Sequence, residues 1–170
     1  VGRIVAGKPM PPELMQENIP AVERGLNVLC ASLRIVKTMG VRAVVAVNRF
    51  ETDTDAELQF VAERAQGMGA ERAVISDVFA RGGAGGIGLA EAVVEAAERP
   101  SAMRFLYPDD LPIKEKIRTL ATRIYGADDV EYMAEAERKI KLYTELGFSR
   151  LPICMAKTHL SFSHDPEWKG

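Results

Sequence analysis

Cysteine, aromatic residues and long apolar runs are all scarce in this 170-residue sequence. The two cysteines, Cys30 and Cys154, lie inside apolar stretches, a position typical of buried, reduced thiols rather than of a disulfide or a reactive thiol. No apolar run approaches the ~20 residues that cross a membrane, and the first residues lack the pattern of a signal peptide. These absences predict a cytoplasmic protein without a membrane partner.

An excess of charge of one sign is also lacking. The 22 basic and 24 acidic residues leave a net charge of −2, and the basic residues are scattered along the chain. This balance argues against nucleic acid as the main partner. With 47% apolar and 27% charged residues, the composition is that of a globular domain, which at this length buries roughly 70% of its extended surface.

Two kinds of binding motif are missing. The sequence contains no Gly-x-x-x-x-Gly-Lys-Ser/Thr loop, so it has no phosphate cradle of that kind. His159 and His164 are five residues apart in a polar segment, with no cysteine or carboxylate at metal-ligand spacing beside them. We interpret both as surface residues, and no metal site is predicted.

Helical and strand patterns alternate along the chain. Strands are predicted at the β-branched apolar runs 41–47 and 73–76 and at the shorter apolar run 151–155. Helices separate these strands, as right-handed crossovers between parallel strands require. The alternation predicts an α/β fold with a doubly wound, mostly parallel sheet.

The helices have recognisable ends. Apolar spacing predicts a first helix over 13–37, with a break near Pro20 and Gly25. Thr54 and Glu57 have the spacing of a capping box, which starts the next helix. The acidic residues nearby are interpreted as charges that complement the N-terminus of that helix, namely Glu51, Asp53 and Asp55. The later helices are expected to end at Pro100, Gly126 and Gly147.

Ligands of open α/β sheets bind beyond the carboxyl ends of the strands. The residues that follow the three predicted strands are Asn48 and Phe50, Ser76 and Phe79, and Ala156 and Lys157. The two phenylalanines have two interpretations: packing in a small satellite core, or two faces that clamp a flat heterocycle.

A glycine-rich segment, 82–88, follows the second predicted strand. Gly83-x-Gly85-x-x-Gly88 formally matches the dinucleotide fingerprint, and Asp109 and Asp110 lie about twenty residues further on. No strand precedes these two acids, so the ribose-binding carboxylate of that motif is misplaced. We therefore favour a mobile loop that lines another ligand over a dinucleotide site and a Rossmann oxidoreductase.

Five segments resemble the formate–tetrahydrofolate ligase family in order and spacing. They are VVAVNRFETDTDAEL, SDVFARGGAGG, IYGADDVEY, ELGFSRLPICMAKTHLS and SHDPEWKG, which begin at Val44, Ser76, Ile124, Glu145 and Ser163. The resemblance covers essentially the whole chain. It implies a ligase that joins formate to tetrahydrofolate through formyl phosphate, giving 10-formyltetrahydrofolate, ADP and phosphate.

The resemblance also implies a set of binding residues. The folate site would comprise Phe50 and Phe79 as stacking faces, with Ile75, Ser76, Gly82 and Gly83 around them. The adenine of ATP would lie near Asn48 and the Ala156-Lys157 turn, as in nucleotide hydrolases of the P-loop type. No catalytic residue of the family falls in this chain. The resemblance further implies that the enzyme uses ATP with Mg²⁺ and a monovalent cation. It also implies that the full enzyme is a homo-oligomer.

The sequence departs from the family pattern at three positions. Phe79 stands where tryptophan is usual, Glu51 where proline or lysine is common, and Ala31 where histidine or glutamine is expected. We expect the 170 residues to be an incomplete α/β region of the ligase, with a sub-boundary near 100–112. The phosphate loop is expected before Val1 and a further domain after Gly170, so the chain alone is expected to be inactive. The alternative is a non-catalytic folate- or nucleotide-binding module, or one chain of a split enzyme.

Overall fold

The structure is a computed structural model that describes Pro12 and residues 15–155. The chain divides between Ala102 and Met103 into two compact units, which are described one after the other. Among the described residues, no helix combines the length and the apolar character that crossing a membrane requires.

Two consecutive helices in the described part of the first unit are α1 (Ile19–Gly25) and α2 (Asn27–Thr38). The side chain of Asn18 starts α1 by accepting the backbone N–H of Ala21 at 3.0 Å. Leu26 lies between the two helices, so the predicted break near Gly25 is confirmed.

Two parallel strands form the sheet of this unit, β1 (Val44–Asn48) and β2 (Arg72–Ser76). The helix α3 (Asp55–Gly67) joins them and starts at the predicted capping box, in which the hydroxyl of Thr54 accepts the N–H of Glu57 at 3.2 Å. The strands pair in register along their whole length, so that they begin and end side by side.

Helices cover both faces of the sheet. Val45 and Ala73 pack against a core formed by buried residues of α2, α3 and the turn after α3, namely Leu33, Ala65 and Ala70. Successive residues of a strand point to opposite faces, so Val74 points away from this core. Val74 lies against the next long helix, α5 (Ile87–Glu98), where a Cβ at Gly88 would be 3.6 Å from its Cγ1. The predicted α/β class is confirmed, with a two-stranded parallel sheet in the part that the structure describes.

Between β2 and α5 the chain forms two short turns of helix. The first is α4 (Val78–Arg81), and the second is a 3₁₀ helix at Gly82–Gly86. The glycine-rich segment is therefore a folded turn and not an irregular loop.

The second unit contains α6 (Ile113–Arg123), α7 (Ala134–Glu145) and a short 3₁₀ turn at Phe148–Arg150. Lys116 of α6 is fully buried, and its Nζ donates to the carbonyl oxygens of Asp109, Ser149 and Leu151 at 2.6, 2.7 and 3.0 Å. A buried ammonium needs such partners for its three N–H groups, because desolvating an unpaired charge is costly.

The third predicted strand is wrong. Residues 151–155 have no regular secondary structure, although their apolar run is that of a strand. Side chains engage the backbone there instead of a neighbouring strand: the hydroxyl of Tyr107 accepts the N–H of Ile153 at 3.0 Å, and Lys116 binds the carbonyl of Leu151. A strand requires a partner for its backbone groups, and the apolar pattern carries no information about that partner.

The predicted burial of the cysteines is also wrong. Cys30 and Cys154 are both free thiols, as expected, but both are exposed. Cys30 lies on α2, whose buried residues are Ala31 and Leu33, and Cys154 lies in the segment that does not form a strand. An apolar stretch of sequence does not settle which of its residues face the core.

Candidate functional site

The carboxyl ends of β1 and β2 form the edge at which the predicted folate residues gather. Asn48 and Ser76 are register partners, and the N–H of Arg49 donates to the carbonyl of Ser76 at 2.9 Å, which extends the pairing by one residue. Phe50 and Phe79 therefore leave the sheet at the same edge. Parallel strands of equal length make this unavoidable, because their carboxyl ends lie together.

Phe50 is held by a tight turn. Its backbone N–H donates to Asp53 Oδ2 at 2.9 Å, and its carbonyl accepts the N–H of Asp53 at 3.1 Å. The side chain is nevertheless 58% exposed. The backbone of Phe50 is thus fixed while its ring faces solvent.

Phe79 lies in α4 and is 89% exposed, the highest value among the exposed large apolar residues that the structure describes. A phenylalanine in a satellite core would have lost most of its surface to neighbours, so the packing interpretation is wrong within this chain. An exposed pair of large apolar side chains beyond the carboxyl ends of two strands is typical of a binding surface.

The polar residues of the edge differ in accessibility. Ser76 is buried, with 4% of its surface exposed, Ile75 is half-buried, and Asn48 is exposed. Gly82 and Gly83 are both exposed, and Gly82 has a φ of 57°, a left-handed conformation that favours glycine. These five predicted residues belong to the first unit, as Phe50 and Phe79 do.

Sequence reasoning missed Arg49 and its ion pair at this edge. Arg49 donates to Asp55 Oδ1 at 2.6 Å. The hydrogen bond to Asp55 raises the pKa of Arg49 above its ordinary value, against burial, which lowers it, and the nearby carboxylates of Asp55, Asp77 and Asp53 add to the rise. The guanidinium is thus surrounded by acidic groups, and the edge carries little net positive charge.

The acidic cluster has more specific roles than the helix-dipole interpretation gave it. Asp53 accepts from the backbone of Phe50, and Asp55 pairs with Arg49 while also occupying the first position of α3. Phe50 and Asp53 are three residues apart, which is the spacing between the first and last residues of a β-turn, and this spacing was the signal in the sequence.

The dinucleotide interpretation of the glycine segment finds no support in the geometry. The third glycine of that motif allows a close approach of helix and strand, but a Cβ at Gly88 would make an ordinary contact of 3.6 Å with Val74. Asp109 and Asp110 lie in an exposed turn of the second unit that no described strand precedes. The nucleotide residues Ala156 and Lys157 and the two histidines lie outside the described residues.

By fold, the chain is an α/β protein with an aromatic edge at its strand ends. The model of the formate–tetrahydrofolate ligase family matches residues 3–170. The chain is 52% identical over 170 residues to a formate–tetrahydrofolate ligase of Desulforamulus reducens, covering 100% of this chain and 30% of that protein. The chain belongs to the formate–tetrahydrofolate ligase family, and the resemblance read from its motifs is confirmed.

Animal relatives are similar to the same extent. The identity is 47% over 167 residues to the human cytoplasmic C-1-tetrahydrofolate synthase and 49% over 167 residues to the bovine mitochondrial monofunctional C1-tetrahydrofolate synthase. The match covers 98% of this chain in both cases, but only 18% and 17% of the two relatives. The chain thus spans a minor part of every one of these proteins.

Proposed function

We propose that these 170 residues form the folate-binding part of an ATP-dependent ligase that joins formate to tetrahydrofolate. The observation that carries the proposal is the pair of exposed rings, Phe50 and Phe79, at one edge of a parallel sheet in a chain of this family. A reduced pterin is flat, with apolar faces and a hydrogen-bonding rim. Two exposed aromatic faces above a strand-end backbone suit that shape.

The reaction proceeds in two steps. A formate oxygen attacks the γ-phosphorus of ATP, so that formyl phosphate forms and ADP leaves. N10 of tetrahydrofolate then attacks the carbonyl carbon of formyl phosphate, loses its proton and expels phosphate, giving 10-formyltetrahydrofolate. The role of Phe50 and Phe79 is to hold the pterin so that N10 meets that carbon. Correct placement of two reactants lowers the barrier because their entropy is lost on binding rather than in the transition state.

The nucleotide half of the site is proposed to begin at Asn48, which is exposed at the end of β1. Ala156 and Lys157 would complete the adenine site. Mg²⁺, when bound with ATP, neutralises charge on the phosphates during transfer. The described residues contain no group of three His, Cys, Asp or Glu side chains that could hold a metal ion.

Three small molecules, formate, ATP and tetrahydrofolate, are the proposed substrates. The proposed partner is the remainder of a ligase polypeptide. The full enzyme is proposed to be a homo-oligomer that also requires a monovalent cation. The cytoplasm is the proposed location, and fractionation of cells with an antibody to this chain would test it.

The folate proposal is tested by alanine substitutions in a full-length ligase that carries these 170 residues, called the full-length enzyme below. We expect Phe50→Ala and Phe79→Ala each to raise the KM for tetrahydrofolate by at least about fivefold, equivalent to ~1 kcal/mol of lost stacking, with little change in the KM for ATP. Phe105→Ala is the matched control, because Phe105 is 85% exposed but lies in the second unit.

Two other results would contradict these proposals. If Phe79→Ala and Phe105→Ala leave the tetrahydrofolate KM equally unchanged, the exposed rings are not the pterin site. A full-length enzyme that makes no 10-formyltetrahydrofolate from formate, ATP and tetrahydrofolate would overturn the ligase proposal itself.

A further inference from the structure

The turn that carries Phe79 is closed by the glycine segment behind it. The N–H of Asp77 donates to the carbonyl of Gly85 at 3.1 Å, and the carbonyl of Asp77 accepts the N–H of Arg81 at 3.0 Å. Both backbone groups of Asp77 are therefore hydrogen-bonded, the N–H to Gly85 and the carbonyl to Arg81. Phe79 lies inside both of the segments that these bonds close, 77–81 and 77–85, so its backbone is held although its ring is exposed.

Gly85 has no room for a side chain. A Cβ at this position would lie 2.2 Å from the carbonyl oxygen of Asp77, 2.4 Å from its carbonyl carbon and 2.9 Å from the nitrogen of Val78. Real Cβ atoms essentially never approach other atoms within 3.0 Å. The obstacle is backbone, so the chain around Asp77 and Val78 would have to move by about 1 Å before an ordinary contact of 3.4 Å was reached.

Neighbouring glycines face weaker obstacles. A Cβ at Gly86 would meet only the Cγ2 atom of Val78 at 2.9 Å, so the obstacle there is one side-chain atom and not backbone. At Gly88 the nearest atom, Cγ1 of Val74, is at an ordinary 3.6 Å. Of these three glycines, only Gly85 has backbone atoms in the place of a Cβ. Those atoms belong to Asp77 and Val78, which directly precede Phe79.

We propose that Gly85 is a positioning residue for the folate site: its missing side chain lets the glycine turn fold onto Asp77 and thereby sets the orientation of Phe79. This inference rests on the proposed folate site. Side chains that hold a ligand act well only when their own backbone is locked by surrounding contacts. A displacement of about 1 Å at such a residue costs up to about a hundredfold in rate or binding.

The same geometry gives Gly85 a purpose that does not depend on mobility. The bond from Asp77 to Gly85 ties the turn to the end of β2, and the mobility of the loop stays a prediction. Gly85 is required for close packing and not for conformational freedom, since its φ lies outside the left-handed region.

The experiment compares Gly85→Ala with Gly88→Ala in the full-length enzyme. Gly85→Ala is expected to raise the KM for tetrahydrofolate by at least about tenfold, while the KM for ATP stays within about twofold. Gly88→Ala is expected to change neither, because its Cβ makes an ordinary contact inside a helix. Hydrogen exchange should show the Asp77 amide protected in the Gly88 variant and exposed in the Gly85 variant.

A second pair of variants covers the case in which Gly85→Ala does not fold. Gly86→Ala is expected to raise the tetrahydrofolate KM to a smaller extent, and Val78→Ala in the same chain should restore it, because that removes the obstructing Cγ2 atom. If Gly85→Ala folds and its tetrahydrofolate KM is unchanged, the inference about Gly85 is overturned while the proposed function stands. If Gly85→Ala does not fold, an unchanged tetrahydrofolate KM in Gly86→Ala has the same consequence. Absence of ligase activity in the unsubstituted enzyme would overturn the proposed function together with it.

Discussion

The carboxylate of Glu57 serves the starts of two helices at once. Its Oε1 atom accepts the backbone N–H of Asn18, the N-cap of α1, at 2.8 Å, across 39 positions of sequence. Its other oxygen reaches back to Thr54 and completes the capping box of α3. One side chain therefore satisfies free backbone donors at two helix ends, which ties α1 to the crossover helix of the sheet.

We expect Glu57→Ala to lower the free energy of unfolding of the chain by about 2 kcal/mol. About 1 kcal/mol is the usual loss for a broken cap, and the lost hydrogen bond to the exposed N–H of Asn18 adds about 0.5–1 kcal/mol. Thr54→Ala is the matched comparison, because it breaks the same box and leaves the bond to Asn18 in place. Its expected loss is about 1 kcal/mol. Urea titration followed by circular dichroism measures both, and equal losses would show that the link to Asn18 contributes nothing.

Phe79→Trp should strengthen tetrahydrofolate binding by the full-length enzyme by roughly 0.5–1 kcal/mol, because the indole offers a larger stacking face. The resemblance to the family implies tryptophan at this position. Since Phe79 is 89% exposed, the larger ring meets no packed neighbour and the melting temperature should change little. Equilibrium binding of tetrahydrofolate with a thermal scan on the same variant tests this, and weaker binding by the tryptophan variant would contradict it.

The 170-residue chain by itself is expected to make no 10-formyltetrahydrofolate. Phosphoryl transfer depends on donors that position the β- and γ-phosphates, and the sequence has no Gly-x-x-x-x-Gly-Lys-Ser/Thr loop. The assay is formate-dependent release of ADP by the purified chain against a blank. Release above the blank would contradict the prediction, and activity that appears only on mixing with a second chain would favour a split enzyme.

Lys116→Met should destabilise the second unit by at least about 2 kcal/mol. The substitution removes the partner of three backbone carbonyl groups, and hydrogen bonds to a charged donor contribute about 1.5–3 kcal/mol each where they are shielded from water. Lys114→Met is the control two positions away on α6: Lys114 is 43% exposed and pairs with Glu137, so its loss should stay below about 1 kcal/mol. Similar urea midpoints for the two variants would refute a structural role for the buried ammonium.

Features that depend on residues close in sequence could be predicted without the structure. The capping box of Thr54 and Glu57 is one, because both partners lie within a single helical turn. The break between α1 and α2 is another, because Gly25 weakens the helix locally wherever the rest of the chain lies. The motifs around Phe50 and Phe79 likewise identified the family, since the order and spacing of side chains are properties of the sequence.

Features that depend on distant partners were decided only by the tertiary structure. Residues 151–155 have the apolar pattern of a strand but do not form one. The N–H of Ile153 instead donates to the hydroxyl of Tyr107, 46 positions away, and the carbonyl of Leu151 accepts from Lys116, 35 positions away. The second bond of Glu57 and the contact between Gly85 and Asp77 were equally invisible. The physical reason is that hydrogen bonds and excluded volume act between atoms in space, whereas a sequence pattern records only which side of an element is apolar.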